Sequence, residues 1–251
     1  MLAPERCNPR WKILMSASTT IAFIFARGGS KGVPRKTLRE VGGRSLLARS
    51  IDVARQVPRI SRIILSTDDP EIAEVGRRFG AEVPFLRPPE LATDTSPERL
   101  SWRHAVQWVR NHDGPKAFDT FVSLPVTAPL RKAEDVERCL NAFKTLPACD
   151  IVITMTRARS NPYFNMVRMT SEGLVTLAIT DGTKPVRRQD APKILDMTCV
   201  AYVTTPDHIM TSDGVFDGRV KGVEVDEISA IDIDTEFDLR LAEMFARERG
   251  I

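Results

Sequence analysis

The amino-acid sequence predicts an α/β fold built on a mainly parallel, doubly wound sheet. Two observations carry the prediction. Apolar runs of strand length alternate with segments of helical period, four strand–helix pairs in succession, and this is the pattern of parallel strands joined by crossover helices. The first run, residues 21–26 (IAFIFA), is apolar throughout, as a strand buried on both faces must be.

The elements follow in order. After the strand at 21–26, residues 44–56 place Leu47, Ile51 and Ala54 at helical spacing. Residues 62–67 (RIILST) form the next strand. Residues 70–79 read as a helix with Asp69 as its N-cap and Pro70 at its first position, stopped by Gly80. A short strand is expected at 82–86, then a helix at 97–110 carrying Leu100, His104 and Trp108 four apart. A strand at 120–124, a helix at 133–144 and a strand at 150–155 (DIVITM) complete the regular alternation. From 157 to 195 the pattern loosens into Arg, Asn, Pro and Thr with β-like pieces at 163–169 and 174–179. This stretch is expected to leave the sheet as a lid or dimerisation arm. Strands at 200–204 and 220–225 resume the fold, and a helix at 235–248 closes it with Phe237, Leu241 and Met244 on one face. Residues 21–251 are thus expected to form a single domain. Residues 1–20 read as a disordered leader, with Met15 a candidate start and no secretory signal pattern.

Composition narrows the function. The chain has 251 residues, 42% hydrophobic and 27% charged, with a formal charge of +3. A nucleic-acid binder usually shows a stronger and clustered basic bias, so a small anionic ligand is expected instead. Cys7, Cys139, Cys149 and Cys199 are scattered with no C-x-x-C pair, which argues against a zinc site and for free thiols in the cytoplasm. No apolar run reaches membrane-spanning length.

In an open parallel sheet, ligands bind beyond the carboxyl ends of the strands. The unusual loops all follow strands: ARGGSKGVPRK, STDD, LRPPELATD, LPVTAPLR and IDIDT. Five such loops are expected to converge on one cleft. In the first, Gly28, Gly29 and Gly32 let backbone N–H groups turn toward phosphate oxygens, and Arg27, Lys31, Arg35 and Lys36 add charge. The order matches neither a Walker A loop nor G-x-G-x-x-G, and a solvated basic turn is the alternative. In AIDIDTEFD, Asp232 and Asp234 alternate with isoleucines, so extended backbone aims both carboxylates one way. Such a pair suits Mg²⁺, which takes one or two carboxylates plus phosphate oxygens and water. Asp234 can also cap the last helix. Asp68 and Asp69 read as helix-capping residues, with contact to the nucleotide as the alternative, and His104 and Trp108 as core or helix surface. Arg187 and Arg188 form a cationic pair suited to a carboxylate, with a solvated surface pair as the alternative. No catalytic triad is apparent around His112 or His208.

On these stretches the chain resembles the acylneuraminate cytidylyltransferases, the CMP-sialic acid synthetases. ARGGSKGVPRK, STDDPEIAEVGRRFGAEVPFLRPPELATDT, TAPLR, RRQDAP and SAIDIDTEFDLRLAE occur in the family's order. The resemblance implies a Rossmann-like nucleotidyltransferase fold, a homodimer, CTP and Mg²⁺, and a CMP-activated sugar acid as product, with no nucleic-acid or membrane partner. It implies that Ala26, Arg27, Gly28, Gly29, Ser30, Lys31 and Lys36 hold the nucleotide, with Arg87 near the cytosine. Arg27, Lys36 and Asp234 are the implied catalytic residues, Asp232 and Asp234 the metal ligands, and Arg188 and Gln189 the sugar-acid contacts, from a neighbouring subunit. Pro125 and Val126 replace the family's glutamine and proline, Thr198 and Cys199 its Asn-Gly pair, and Thr37 its asparagine. These changes resemble the bacterial branch that activates legionaminic-type acids. An eight-carbon (Kdo-type) cytidylyltransferase, a sugar-nucleotide-dependent glycosyltransferase and a nucleotide-binding protein without turnover are the alternatives. The RGGSKG loop speaks against the glycosyltransferase.

Overall fold

The computed structural model describes residues 19–182 and 185–251. The expected leader, except for its last two residues, lies outside the described residues. Its boundary is corrected at Thr20, which opens the first strand and aligns with Ile60 and Thr120.

That strand, β1 (Thr20–Phe25), is followed by a two-residue hairpin, β2 (Glu40–Val41) and β3 (Arg44–Ser45). Helix α1 (Leu46–Gln56) starts where the Ser45 hydroxyl accepts the Ala48 N–H. Strand β4 (Ile60–Ser66) leads to α2 (Pro70–Arg78), capped by Asp69 as the sequence predicts: its Oδ1 takes the N–H groups of Glu71 and Ile72. The strand expected at 82–86 is reduced to a single bridge between Ile64 and Glu82, because Pro84 and Pro88 deny the segment ladder donors. Helix α3 (Glu98–Asp113), β5 (Thr120–Ser123), α4 (Ala133–Lys144) and β6 (Ile151–Arg157) follow. The excursion carries one small hairpin, β7 (Val167–Met169) and β8 (Val175–Leu177), outside the main sheet. Strand β9 (Leu195–Thr204) is twice the expected length, and α5 (Pro206–Thr211), β10 (Val220–Glu224) and α6 (Glu236–Arg249) complete the chain.

The main sheet has the order β10-β6-β9-β5-β1-β4. All of its pairings are parallel except those of β9, which runs antiparallel between β5 and β6. Helices cover both faces. Leu47 and Ile51 of α1, Ile72 of α2, Val136 and Leu140 of α4, and Leu239 and Ala242 of α6 bury against Ala22, Ile24 and Val122. On the other face Trp102, Val106 and Val109 of α3 and Ile209 of α5 bury against Phe23, Phe121 and Ile153. Phe23 and Phe121 stack with ring centres 4.6 Å apart, a pairing worth up to about 1.5 kcal/mol beyond its burial.

One helix face differs from expectation, and the other places its rings as expected, at the core margin and helix surface. In α6 the buried residues are Leu239, Ala242 and Ala246, and Phe237 and Met244 are exposed. The small alanines let α6 lie close on the sheet, and larger apolar side chains at its rim need not be covered. In α3 Leu100 is exposed, His104 packs edge-on against Phe85, and Trp108 stacks on His112. None of these rings reaches the cleft described below. No helix among the described residues is long and apolar enough to cross a membrane.

Candidate active site

At the carboxyl ends of β1, β4 and β5 a cleft of about 510 Å³ opens. It is lined by the glycine loop (Ala26, Arg27, Gly29, Ser30, Lys31, Gly32, Lys36), by the 87–96 segment, by Pro125 to Thr127, and by Asp232 and Asp234. Four of the five predicted loops therefore meet. The fifth, STDD, braces the first from behind, since Asp68 Oδ1 accepts the Gly28 N–H at 3.1 Å.

The glycine loop is shaped by close approach. A side chain at Gly32 would overlap the carbonyl oxygen of Asp234, and one at Gly28 would meet Asp69 Oδ2 at 2.7 Å. Neither glycine has a positive φ; the left-handed residue of the loop is Arg35, at φ 54°. The expectation that the three glycines offer their N–H groups to an anion is thus corrected at Gly28, whose N–H is spent on Asp68. Arg35 is drawn away to Asp69 and Glu71 and does not line the cleft.

The remaining cations face carboxylates. Arg27 and Lys31 both reach Asp94, at 2.9 and 2.6 Å, and Arg27 also donates to the Thr93 carbonyl at 3.0 Å. The Lys31 ammonium, then burial working against it and the Arg27 charge, leave the Asp94 carboxyl below its ordinary pKa. Lys36 Nζ donates to Asp234 Oδ1 at 3.1 Å and to the Ile233 carbonyl at 2.7 Å. The glycine loop and the aspartate edge thus touch.

Asp232 and Asp234 flank Ile233, which is fully buried and donates its N–H to the Thr127 carbonyl at 2.8 Å. This register turns both carboxylates into the cleft. Among the described residues Asp232 Oδ1 is buried without a hydrogen-bond partner, an arrangement costing about 1–3 kcal/mol unless a ligand satisfies it. Two carboxylates with one orphaned oxygen fit a hard divalent cation that takes its remaining ligands from phosphate and water. Among the described residues no cluster of three metal-ligating side chains occurs.

The floor was not apparent from motifs. Tyr202 and Cys199 of β9 line the cleft, because the long antiparallel strand threads between β5 and β6. Burial, then the neighbouring Asp232, pushes the Cys199 thiol up to about 12, and burial also raises the Tyr202 phenol. Arg131 lies beneath, buried, with Nε on the Ala128 carbonyl at 3.0 Å and Nη2 on the Pro125 carbonyl. Burial lowers its pKa to about 10, so it stays charged at neutral pH. It holds the loop after β5 in shape. At the opposite end Arg87 is buried; Nε and Nη2 donate to Ser66 Oγ and the Ser66 carbonyl at 3.1 and 2.5 Å. Glu98, at the start of α3, is also in the cleft.

Arg188 and Gln189 are elsewhere. They line a second cleft of about 560 Å³ with Arg157, Asn161, Lys193 and Glu224. Arg188 Nη2 donates to the carbonyls of Ala158 and Arg159 at 2.8 and 2.6 Å. Within one chain these two residues do not join the first cleft. Motif spacing cannot register this, since the excursion folds away from the sheet.

An electropositive loop facing an aspartate pair across a sheet edge is suited to a nucleoside triphosphate and its metal. Comparison with known proteins agrees. Residues 21–160 match the cytidylyltransferase family. The post-translational flagellin modification protein B of Campylobacter coli is 35% identical over 240 residues, covering 93% of this chain and 97% of that protein. A CMP-N,N'-diacetyllegionaminic acid synthase of Campylobacter jejuni is 35% identical over 224 residues, covering 89% and 93%. The solved structure of a CMP:2-keto-3-deoxy-manno-octonic acid synthetase complexed with CTP is similar in fold. It has a TM-score of 0.66 and 17% identity, covering 92% of this chain and all of that one. The chain belongs to the cytidylyltransferase family and is a nucleotidyltransferase.

Proposed function

We propose that the chain transfers CMP from CTP to the anomeric hydroxyl of a nonulosonic acid of legionaminic type, releasing pyrophosphate. The observation that carries this reading is the contact of Lys36 with Asp234, at 3.1 Å, beside the unpartnered Oδ1 of Asp232. A bound triphosphate takes the place of Asp94 and Asp234 as counterion. Arg27, Lys31 and Lys36 then neutralise the leaving pyrophosphate, Ala26, Gly29 and Ser30 form the wall around it, and Gly28 fixes the turn through Asp68. Arg87 meets the cytosine. Asp232 and Asp234 hold Mg²⁺, which when bound supplies charge neutralisation at the phosphates. The chain's own contribution is positioning and fixed charge, the main effects in phosphoryl-type transfer.

Likeness to relatives named as CMP-N,N'-diacetyllegionaminic acid synthases supports the legionaminic type. Pro125 and Val126 support it against the eight-carbon acids, because that group carries an acidic residue in this loop. Residues 157–195 serve as a dimerisation arm within one domain spanning 21–251. Val167, Met169, Leu174, Val175 and Val186 are exposed on it, an apolar face that a second copy covers. Arg188 and Gln189 then contact the sugar acid in the partner's cleft.

Pyrophosphate release from CTP and Mg²⁺ with a panel of sugar acids tests the reading. Turnover is expected with legionaminic-type acids. Turnover with N-acetylneuraminate or the eight-carbon acid alone refutes the substrate assignment, and no pyrophosphate with any acid refutes the reaction.

A further inference from the structure

We propose that Glu98 reads the ribose of the nucleotide, accepting a hydrogen bond from one of its two vicinal hydroxyls. This assignment rests on the reading of the cleft as a CTP site. It begins from where Glu98 stands. Its Oε1 accepts the Trp102 indole N–H at 3.2 Å. The Trp102 ring is flanked by Phe25 at 6.2 Å and Tyr202 at 5.5 Å. Arg87 lies over Phe25, 5.9 Å from the ring centre. Tyr202 is 3.9 Å from Cys199 Sγ, and Cys199 neighbours Asp232. Glu98 therefore sits between the arginine of the base end and the aspartates of the phosphate end. A nucleotide spanning that distance has its sugar there.

Unspent hydrogen-bonding capacity points the same way. Among the described residues the Glu98 carboxylate takes one hydrogen bond, that of Trp102 on Oε1, and the Ser96 Oγ in the same wall is buried with none. An ionised carboxylate only accepts. Phosphate oxygens and the carboxylate of a sugar acid only accept as well, and carry like charge, so Glu98 repels both. Ribose hydroxyls donate, and acidic side chains take them in other nucleotide-binding α/β folds. Glu98 is open to solvent at the cleft mouth, yet protein surrounds its carboxyl group on most sides. That crowding raises its pKa against the opposing Trp102 and Arg87, so a further donor is favourable.

Calorimetric binding of CTP, 2′-deoxy-CTP and 3′-deoxy-CTP to the full chain with Mg²⁺ tests this, in wild type, Glu98→Ala and Glu98→Gln. Wild type is expected to favour CTP over at least one deoxy analogue by about tenfold or more, the worth of a hydrogen bond to a charged group. Glu98→Ala should weaken CTP by a similar factor and leave that analogue within about twofold, removing the discrimination. Glu98→Gln, which keeps an acceptor oxygen, should retain part of it. Equal weakening of all three nucleotides by Glu98→Ala overturns the assignment. So does unchanged CTP binding with a raised KM for the sugar acid. Wild-type CTP binding without ribose discrimination overturns this assignment alone, and absence of any nucleotide binding overturns the CTP reading beneath it.

Discussion

Replacing Lys36 by alanine separates catalysis from stability. The side chain is only 17% exposed and makes two bonds, to the Ile233 carbonyl and to Asp234, whose own side chain is 72% exposed. The ion pair, largely in solvent, is worth under about 1 kcal/mol. The charged bond to a partly buried carbonyl adds about 1.5 kcal/mol. Folding stability should then drop by about 2 kcal/mol, a fall in Tm of about 4–8 °C for a chain of this size. The catalytic loss is larger, since one preorganised charge at a developing pyrophosphate is worth about 3 kcal/mol of barrier, about a hundredfold in rate. Steady-state pyrophosphate release and thermal unfolding on the same preparation measure the two effects. A kcat/KM within about threefold of wild type, in folded protein, refutes the role given to Lys36.

Three further outcomes follow from the geometry. Gly32→Ala places a methyl group against the Asp234 carbonyl; it should separate the glycine loop from the aspartate edge and lower kcat/KM for CTP by at least about tenfold, consistent with the sensitivity of catalysis to small misplacements. Asp226 joins the start of α4 to the end of α6, accepting from Ser229, Lys132 and Arg249. Burial works against its ionised form, but these donors outweigh burial and hold its pKa below the ordinary range. Its stabilisation, about 1 kcal/mol after solvent screening, is present above the unfolded value of about 3.9 and is lost as pH falls through the lower folded value. The difference between wild type and Asp226→Asn in denaturant unfolding should accordingly begin to narrow below about pH 4 and keep closing as pH falls toward the folded value, and a gap that widens there contradicts this. Cys199 lines the cleft, but with a pKa near 12 its thiolate fraction at pH 8 is about a thousandfold below that of an ordinary cysteine. Mass spectrometry after iodoacetamide treatment should find it unmodified in the folded protein; rapid labelling shows the thiol is not so protected.

The local signals of the fold were legible. Asp69 and Pro70 fixed the start of α2, and the spacing of Leu47, Ile51 and Ala54 marked the buried face of α1, because capping and periodicity act within a few residues. What required tertiary structure escaped the sequence. The direction of β9 depends on neighbours far along the chain, and its N-terminal half, with exposed Met197, lacks the apolar continuity of a buried strand. Phe237 and Met244 misled because a helix face is chosen by what it packs on, and alanines serve α6 better than bulk. In the site, charged and glycine-rich loops announced Arg27, Lys31, Lys36, Asp232 and Asp234. Glu98 and Tyr202 carry no motif of their own, since an acidic residue at a helix start is common in any sequence. Arg131 closes the TAPLR motif and Cys199 stands in the altered Asn-Gly position, but neither signal told that the first lies beneath the cleft and the second lines its floor. Arg188 and Gln189 are legible as a motif, yet their place depends on a segment that leaves the sheet.

A crystal structure of the chain with CTP and Mg²⁺ decides whether the glycine loop and the aspartate edge share one ligand. The triphosphate is expected between Gly29–Lys31 and Asp232, with Lys36 turned from Asp234 to a phosphate oxygen. CTP seated in the cleft of Arg157 and Arg188, or bound with the Lys36–Asp234 contact intact and its phosphates in solvent, would contradict it.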